Sequence, residues 1–110
     1  MSWDKAKINE DGTRETPIRE SQSRKGDLAE YYAVTWLWDN GYEVFKNASS
    51  CGPIDMIASK EGEFKLIDVK TSDKNGKVQD KRTNEQISMG VVFLLFNKQT
   101  RKCRFVEHQE

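Results

Sequence analysis

The sequence predicts an α/β chain of the α+β kind, a mixed central sheet flanked by helices. Three observations carry this. A long helical run is followed by three short strand-like runs. Val91 to Phe96 is six consecutive apolar residues, which suits a strand covered on both faces. Just before it, Thr83-Asn84-Glu85-Gln86 has the Ser/Thr-x-x-Glu/Gln form of a capping box, so a short helix there can serve as the crossover between parallel strands.

In chain order, residues 1–20 are polar and without periodicity. They read as an N-terminal arm, disordered or docked on a partner subunit, with Trp3 as its aromatic anchor. Thr16-Pro17 can open a helix, with Thr at the N-cap and Pro at the first position. The stronger helix runs from about Ser21 to Asp39, and Gly41 suits the left-handed position that follows it. Ala29, Ala33, Trp36 and Leu37 form its core face. Tyr31, Val34 and Trp38 form a second apolar stripe, facing the arm or another subunit, and Glu30 falls between the two.

Strands are expected at Tyr42–Phe45, Ile54–Ser59 and Glu63–Lys70, the last two joined by the turn-like Ser59-Lys60-Glu61-Gly62. Thr71 to Arg82 is a polar loop containing Asn75-Gly76. A short helix ending at Gly90, the apolar strand, and a last strand over Lys102–Glu107 complete the order. The folded domain is placed at 21–107 and a tail at 108–110. The N-terminal stretch has no apolar segment of the signal-peptide type, and no apolar run approaches the ~20 residues of a membrane span, which predicts a cytoplasmic protein.

With 110 residues the chain makes one small domain. Its two cysteines, Cys51 and Cys103, are far apart and expected to be reduced, and its one histidine, His108, is near the C-terminus. That composition argues against a zinc site and against Cys–His or Ser–His nucleophilic catalysis. The 18 basic and 18 acidic residues cancel, but their distribution is uneven. From Lys70 to Arg82, Lys70, Lys74, Lys77, Lys81 and Arg82 stand against only Asp73 and Asp80.

The chemistry concentrates between Gly52 and Lys70. Side chains alternate along a strand, so Asp68 and Lys70 share one face. A hairpin can bring Asp55 beside Asp68. Two carboxylates and an ammonium at the ends of paired strands suit a hard cation, such as Mg2+, that assists phosphodiester hydrolysis. Asp55, Asp68 and the main-chain carbonyl of Val69 are the candidate metal ligands, and Glu30 can join them directly, through water, or at a second ion. Lys70 can orient the attacking water, stabilise charge or act as a base. Gln86 can touch the water or a phosphate, although the capping box alone also explains it. Arg24, Lys25, Lys74, Lys77, Lys81 and Arg82 are candidate phosphate contacts, each with a solvated surface charge as its plainer explanation. A buried Asp68–Lys70 salt bridge is the main structural alternative for the pair.

Gly26-Asp27-Leu28-Ala29-Glu30, Gly52-Pro53-Ile54-Asp55, Asp68-Val69-Lys70 and Gln86 together resemble the PD-(D/E)XK nuclease superfamily. The short layout is most similar to the Holliday junction resolvases of archaeal and phage type. The resemblance spans about Arg24 to Phe105 and departs at Ile54, where the family has proline. It implies a restriction-endonuclease-like αβββαβ core. It makes Glu30, Asp55 and Asp68 acidic metal-site residues, Lys70 the catalytic lysine and Gln86 the accessory polar residue. It further implies Mg2+-dependent hydrolysis, with Mn2+ as a substitute, leaving 5′-phosphate and 3′-hydroxyl ends. The implied partners are branched DNA and a second subunit in a homodimer. The alternatives are a repair or restriction-type duplex endonuclease and a non-catalytic nucleic-acid-binding module on the same fold.

Overall fold

A computed structural model describes residues 22–49, 51–72 and 75–108. The expected N-terminal arm, Trp3, the Thr16-Pro17 helix start and Lys74 lie outside the described residues. The elements are α1 (Gln22–Asp39), β1 (Glu43–Lys46), β2 (Met56–Lys60), β3 (Glu63–Thr71), α2 (Asn84–Met89), β4 (Val92–Asn97) and β5 (Lys102–Phe105). This is the expected order. The five strands form one sheet in the order β1-β2-β3-β4-β5. Only β3 and β4 run parallel, and the segment carrying α2 connects them.

α1 packs on one face of the sheet. Ala29, Ala33 and Leu37 are buried, and the core beneath holds Met56, Ala58, Ile67 and Leu94. Trp36 closes one side, edge-on to Phe105, and Tyr32 stacks on Phe96 with ring centroids 4.8 Å apart. The second apolar stripe needs a correction. Val34 belongs to the core, while Tyr31 and Trp38 are exposed. Val34 lies about 60° around the helix from Leu37, close enough to turn inward; Tyr31 and Trp38 lie on the far side.

Glycine stops both helices in the same way. Gly41 has φ +87°, its N–H donates to Trp38 O, and Tyr42 N–H reaches back to Leu37 O. Gly90 has φ +76°, its N–H donates to Ile87 O, and Val91 N–H reaches Gln86 O. Each is a Schellman ending, for which a residue without Cβ is favoured. The second one turns the chain from α2 directly into β4.

β4 is the most buried strand, with Phe93, Leu94, Leu95 and Phe96 all inaccessible, as its unbroken apolar run predicts. Leu94 faces α1. Phe93 faces the other way and meets His108 edge-on, with Phe93 N–H donating to His108 Nε2 at 3.0 Å. The C-terminal residues are therefore packed as far as His108. The strand boundaries move by one or two residues from expectation: β1 and β4 each run one residue later, β3 ends one residue later, β5 stops at Phe105, and β2 ends one residue later and begins at Met56 rather than Ile54. The last change has a cause in the Asp55 side chain, described below. Among the described residues no helix is long and apolar enough to cross a membrane.

Candidate active site

Asp68 and Lys70 lie on the face of β3 away from α1, while Ile67 and Val69 pack toward it. Asp55 sits one residue before β2. Its N–H donates to Ile67 O and its carbonyl accepts from Asn47 N–H. Its Oδ2 accepts from Val69 N–H at 2.7 Å. A side-chain carboxylate thus satisfies a β3 donor where ladder pairing stops, which is why β2 starts late. The same bond points the carboxyl at Asp68.

The Asp68 carboxyl acts on the Asp55 carboxyl both as a hydrogen-bond partner for its protonated form and as a negative charge. Burial, the Asp68 hydrogen bond and the negative charges of Asp68 and Glu30 push Asp55 up to about 7, against the lowering effect of Val69 N–H. Two neighbouring carboxylates do not both ionise easily, so Asp55 retains its proton well above the ordinary range. A dication bound between them would remove that penalty.

Gln86 resolves a question that its sequence context left open. It is the buried polar side chain of α2. Its Oε1 accepts from Thr83 N–H at 3.0 Å, and Thr83 Oγ1 accepts from Gln86 N–H at 3.1 Å, completing the capping box. Its Nε2 donates to Asp68 Oδ2 at 2.7 Å and to Pro53 O at 3.0 Å. One amide therefore caps the helix and ties it to the carboxylate and to the Gly52-Pro53 turn. The capping and site roles are not alternatives, because they use opposite ends of the group. Gln86→Ala should cost roughly 1–3 kcal/mol, because the Asp68, Pro53 and Thr83 groups lose their partner. A urea melt measures this, and an unchanged midpoint would mean that water replaces the amide.

Lys70 Nζ is 3.5 Å from Asp68 Oδ2 and 3.4 Å from Asp80 Oδ2. The Asp68–Lys70 salt bridge weighed as a structural alternative is present, but as one edge of a larger network. Burial pulls the ammonium down; Asp68 and Asp80 outweigh it and hold its pKa above the ordinary lysine value. Lys70 is a cation in this state. Phe93 lies beneath it, with Nζ 5.4 Å from the ring centroid.

Glu30 approaches from α1. Its Oε1 is 3.9 Å from Lys46 Nζ, and that ammonium also lies 4.9 Å from the Tyr31 ring centroid. Glu30 acts on Asp55 through its charge. The structure does not assemble the expected three-acid ligand set: among the described residues no group of three or more His, Cys, Asp or Glu is placed to hold a metal ion. Asp55 and Asp68 come together, and Glu30 stands back on Lys46. The donor chemistry still fits Mg2+, which is commonly held by one or two carboxylates and otherwise by water and substrate oxygens. Asp55, Asp68 and the Val69 carbonyl would hold it.

A groove of about 450 Å³ opens beside this cluster, lined by Pro53, Asp68, Lys70, Asp80, Lys81 and Gln86 among others. Of the basic candidates, Lys81 lines it. Arg82 is half-buried and donates from Nη1 to Val91 O at 3.0 Å, away from the groove lining. Arg24 and Lys25 are exposed at the start of α1, and Lys77 is exposed in the loop after β3. Two participants were not singled out from sequence. Lys46 had a signal, as the residue directly after an expected strand that leads toward Asp55. Asp80 had none, since nothing in an irregular loop specifies which side chain returns to Lys70. Cys51 and Cys103 are both unpaired thiols, and burial pushes Cys103 up to about 11.

The model of the archaeal Holliday junction resolvase (Hjc) family matches residues 21–104 of this chain. Among solved structures, the bacterial homing endonuclease I-Ssp6803I superposes with a TM-score of 0.62 at 17% identity, covering 79% of this chain and 69% of that one. At that identity the likeness establishes the fold, which is restriction-endonuclease-like. No curated protein matches the chain.

Proposed function

This chain belongs to the archaeal Holliday junction resolvase family, a group of PD-(D/E)XK nucleases, and on that premise we propose that it is a Mg2+-dependent, structure-selective endonuclease that hydrolyses phosphodiester bonds in branched DNA. The observation that carries this reading is Asp68 held between Gln86 Nε2 and Lys70 Nζ at the wall of an open groove, with the Asp55 carboxyl fixed on Val69 N–H of the same strand.

When bound, Mg2+ supplies a Lewis acid for the phosphate and lowers the pKa of a coordinated water; Mn2+ substitutes. Asp55, Asp68 and the Val69 carbonyl would hold the ion, and Glu30 would add its negative charge nearby, as a ligand directly, through water or at a second ion. Lys70 serves as a cation opposite the charge that develops on the phosphate, in keeping with its raised pKa. Gln86 fixes the rotamer of Asp68. The nuclease domain spans 21–107. Arg24, Lys25, Lys74, Lys77, Lys81 and Arg82 supply phosphate contacts around it. Replacing Lys77 and Lys81 together by Ala should weaken DNA binding and reduce the slope of log K against log salt by about 2, near 0.9 for each lost phosphate contact. An unchanged slope removes that loop from the DNA path.

The protein acts as a homodimer in recombination and repair in the cytoplasm, with the exposed Tyr31 and Trp38 of α1 turned toward the second subunit. Tyr31→Asp combined with Trp38→Asp should shift the sedimentation coefficient to that of a monomer. An unaltered dimer would assign the interface to another face.

Substrate choice is tested by offering a labelled four-way junction and a linear duplex of the same arms in Mg2+. Paired nicks in the junction alone support the reading. Equal cutting of both would assign a repair or restriction-type duplex endonuclease. Tight binding without cutting, in Mg2+ or Mn2+, would assign a binding module.

A further inference from the structure

The loop between β3 and α2 returns an acidic side chain to the lysine of the site. Asp80 Oδ2 lies 3.4 Å from Lys70 Nζ, slightly nearer than Asp68 Oδ2 at 3.5 Å. The two carboxylates differ in how they are held. Asp68 is 14% exposed and fixed by Gln86 Nε2, whereas the Asp80 side chain is 65% exposed. Asp80 also lines the groove beside Lys81. It therefore occupies the solvent side of Lys70, where an oxyanion entering the groove would arrive.

A DNA phosphate and the Asp80 carboxylate compete for the same ammonium, because two anions a few ångströms apart repel. We infer that Asp80 is a built-in competitor for the DNA phosphate: it holds Lys70 in the uncomplexed protein and is displaced when a phosphate takes its place. The inference rests on the proposed nuclease function. A largely exposed carboxylate suits this exchange, since exposed ion pairs are weak and the side chain can leave with little loss. Asp68, being buried and hydrogen-bonded, stays. On this account Lys70 exchanges one anion for another on binding and contributes little net affinity in the wild type. Removing Asp80 reveals its contribution.

The test is a double-mutant cycle on binding of a labelled four-way junction in EDTA, with Asp80→Asn, Lys70→Met and the double variant. Circular dichroism and melting establish that each is folded. Asp80→Asn should bind roughly two- to fivefold more tightly than wild type, the range of an exposed ion pair. The gain should vanish when Lys70 is Met. An equal gain in both backgrounds would mean that Asp80 only repels DNA at large, and would overturn the inference. So would no gain at all. Single-turnover cleavage in Mg2+ gives a further check: slower cutting by Asp80→Asn with unchanged binding would make Asp80 a positioning residue for Lys70, not a competitor. A wild-type protein that neither binds nor cuts the junction would overturn the nuclease reading, and this inference with it. A wild-type protein that binds and cuts, with no coupling in the cycle, overturns the Asp80 inference alone.

Discussion

Asp68→Asn should lower the single-turnover rate of junction cleavage by at least about 10²–10³-fold, the range seen when one electrostatic stabiliser of a transition state is removed, with the fold intact. The substitution is nearly isosteric. Its amide oxygen can still accept from Gln86 Nε2, so the tie between α2 and β3 survives. What disappears is the charge that, with Asp55, would hold the proposed cation, together with the anion 3.5 Å from Lys70 Nζ. Binding in EDTA should change little, because phosphate contacts lie mostly outside this pair. Lys70→Ala should slow cleavage comparably, through loss of the cation beside the developing charge. Turnover within tenfold of wild type in either variant would remove these residues from the chemistry.

Asp55→Asn should abolish cleavage and at the same time stabilise the metal-free protein at pH 8. The sign follows from proton binding. Asp55 has its pKa raised from 3.8 to about 7 in the fold, so the folded state holds more protons than the unfolded state between those values. Stability contributed by this residue is therefore present at low pH and is lost as pH rises from about 4 to 7. At pH 8 the wild type carries the full penalty of ionising the partly buried Asp55 beside the negative charges of Asp68 and Glu30. After discounting for solvent screening, that penalty is on the order of 1–2 kcal/mol, or roughly 5–10 °C in melting temperature for so small a domain. Asn removes the charge while its amide oxygen can still accept from Val69 N–H. Below about pH 4, where Asp55 is protonated in both states, the two proteins should melt together. Mg2+ should raise the wild-type melting temperature at pH 8 and leave the variant nearly unmoved, since a ligand stabilises only the state that binds it. A variant that melts below wild type in EDTA at pH 8 would make Asp55 a structural cap of β3 with little electrostatic strain.

The element order was legible because each element is locally consistent. The capping box, the two terminal glycines and the apolar run of β4 each point to one solution. The alternation on β3 put Asp68 and Lys70 on one face, and the turn at Glu61-Gly62 brought Asp55 alongside. The start of β2 was not legible, because a side chain there stands in for a main-chain partner, which a residue pattern cannot reveal. Val34 was misassigned because a fixed 100° step divides a continuous helical surface into stripes, while packing against a twisted sheet decides where the boundary falls. Glu30 lies at the edge of the α1 core face, but its partner Lys46 depends on where β1 ends relative to α1. Asp80 lies in an aperiodic segment, so only the three-dimensional path of the loop brings it to Lys70. Sites assembled across elements are generally the part that local pattern leaves undetermined.

The most direct test is cleavage of a labelled four-way junction by the wild-type protein and by Asp68→Asn, each in Mg2+ and in EDTA. Nicks by the wild type in Mg2+, absent in EDTA and absent for Asp68→Asn in either buffer, are the predicted result. Undiminished cutting in EDTA or by Asp68→Asn would contradict a metal-dependent centre built on Asp55 and Asp68, as would a folded wild type that cuts no junction in either Mg2+ or Mn2+.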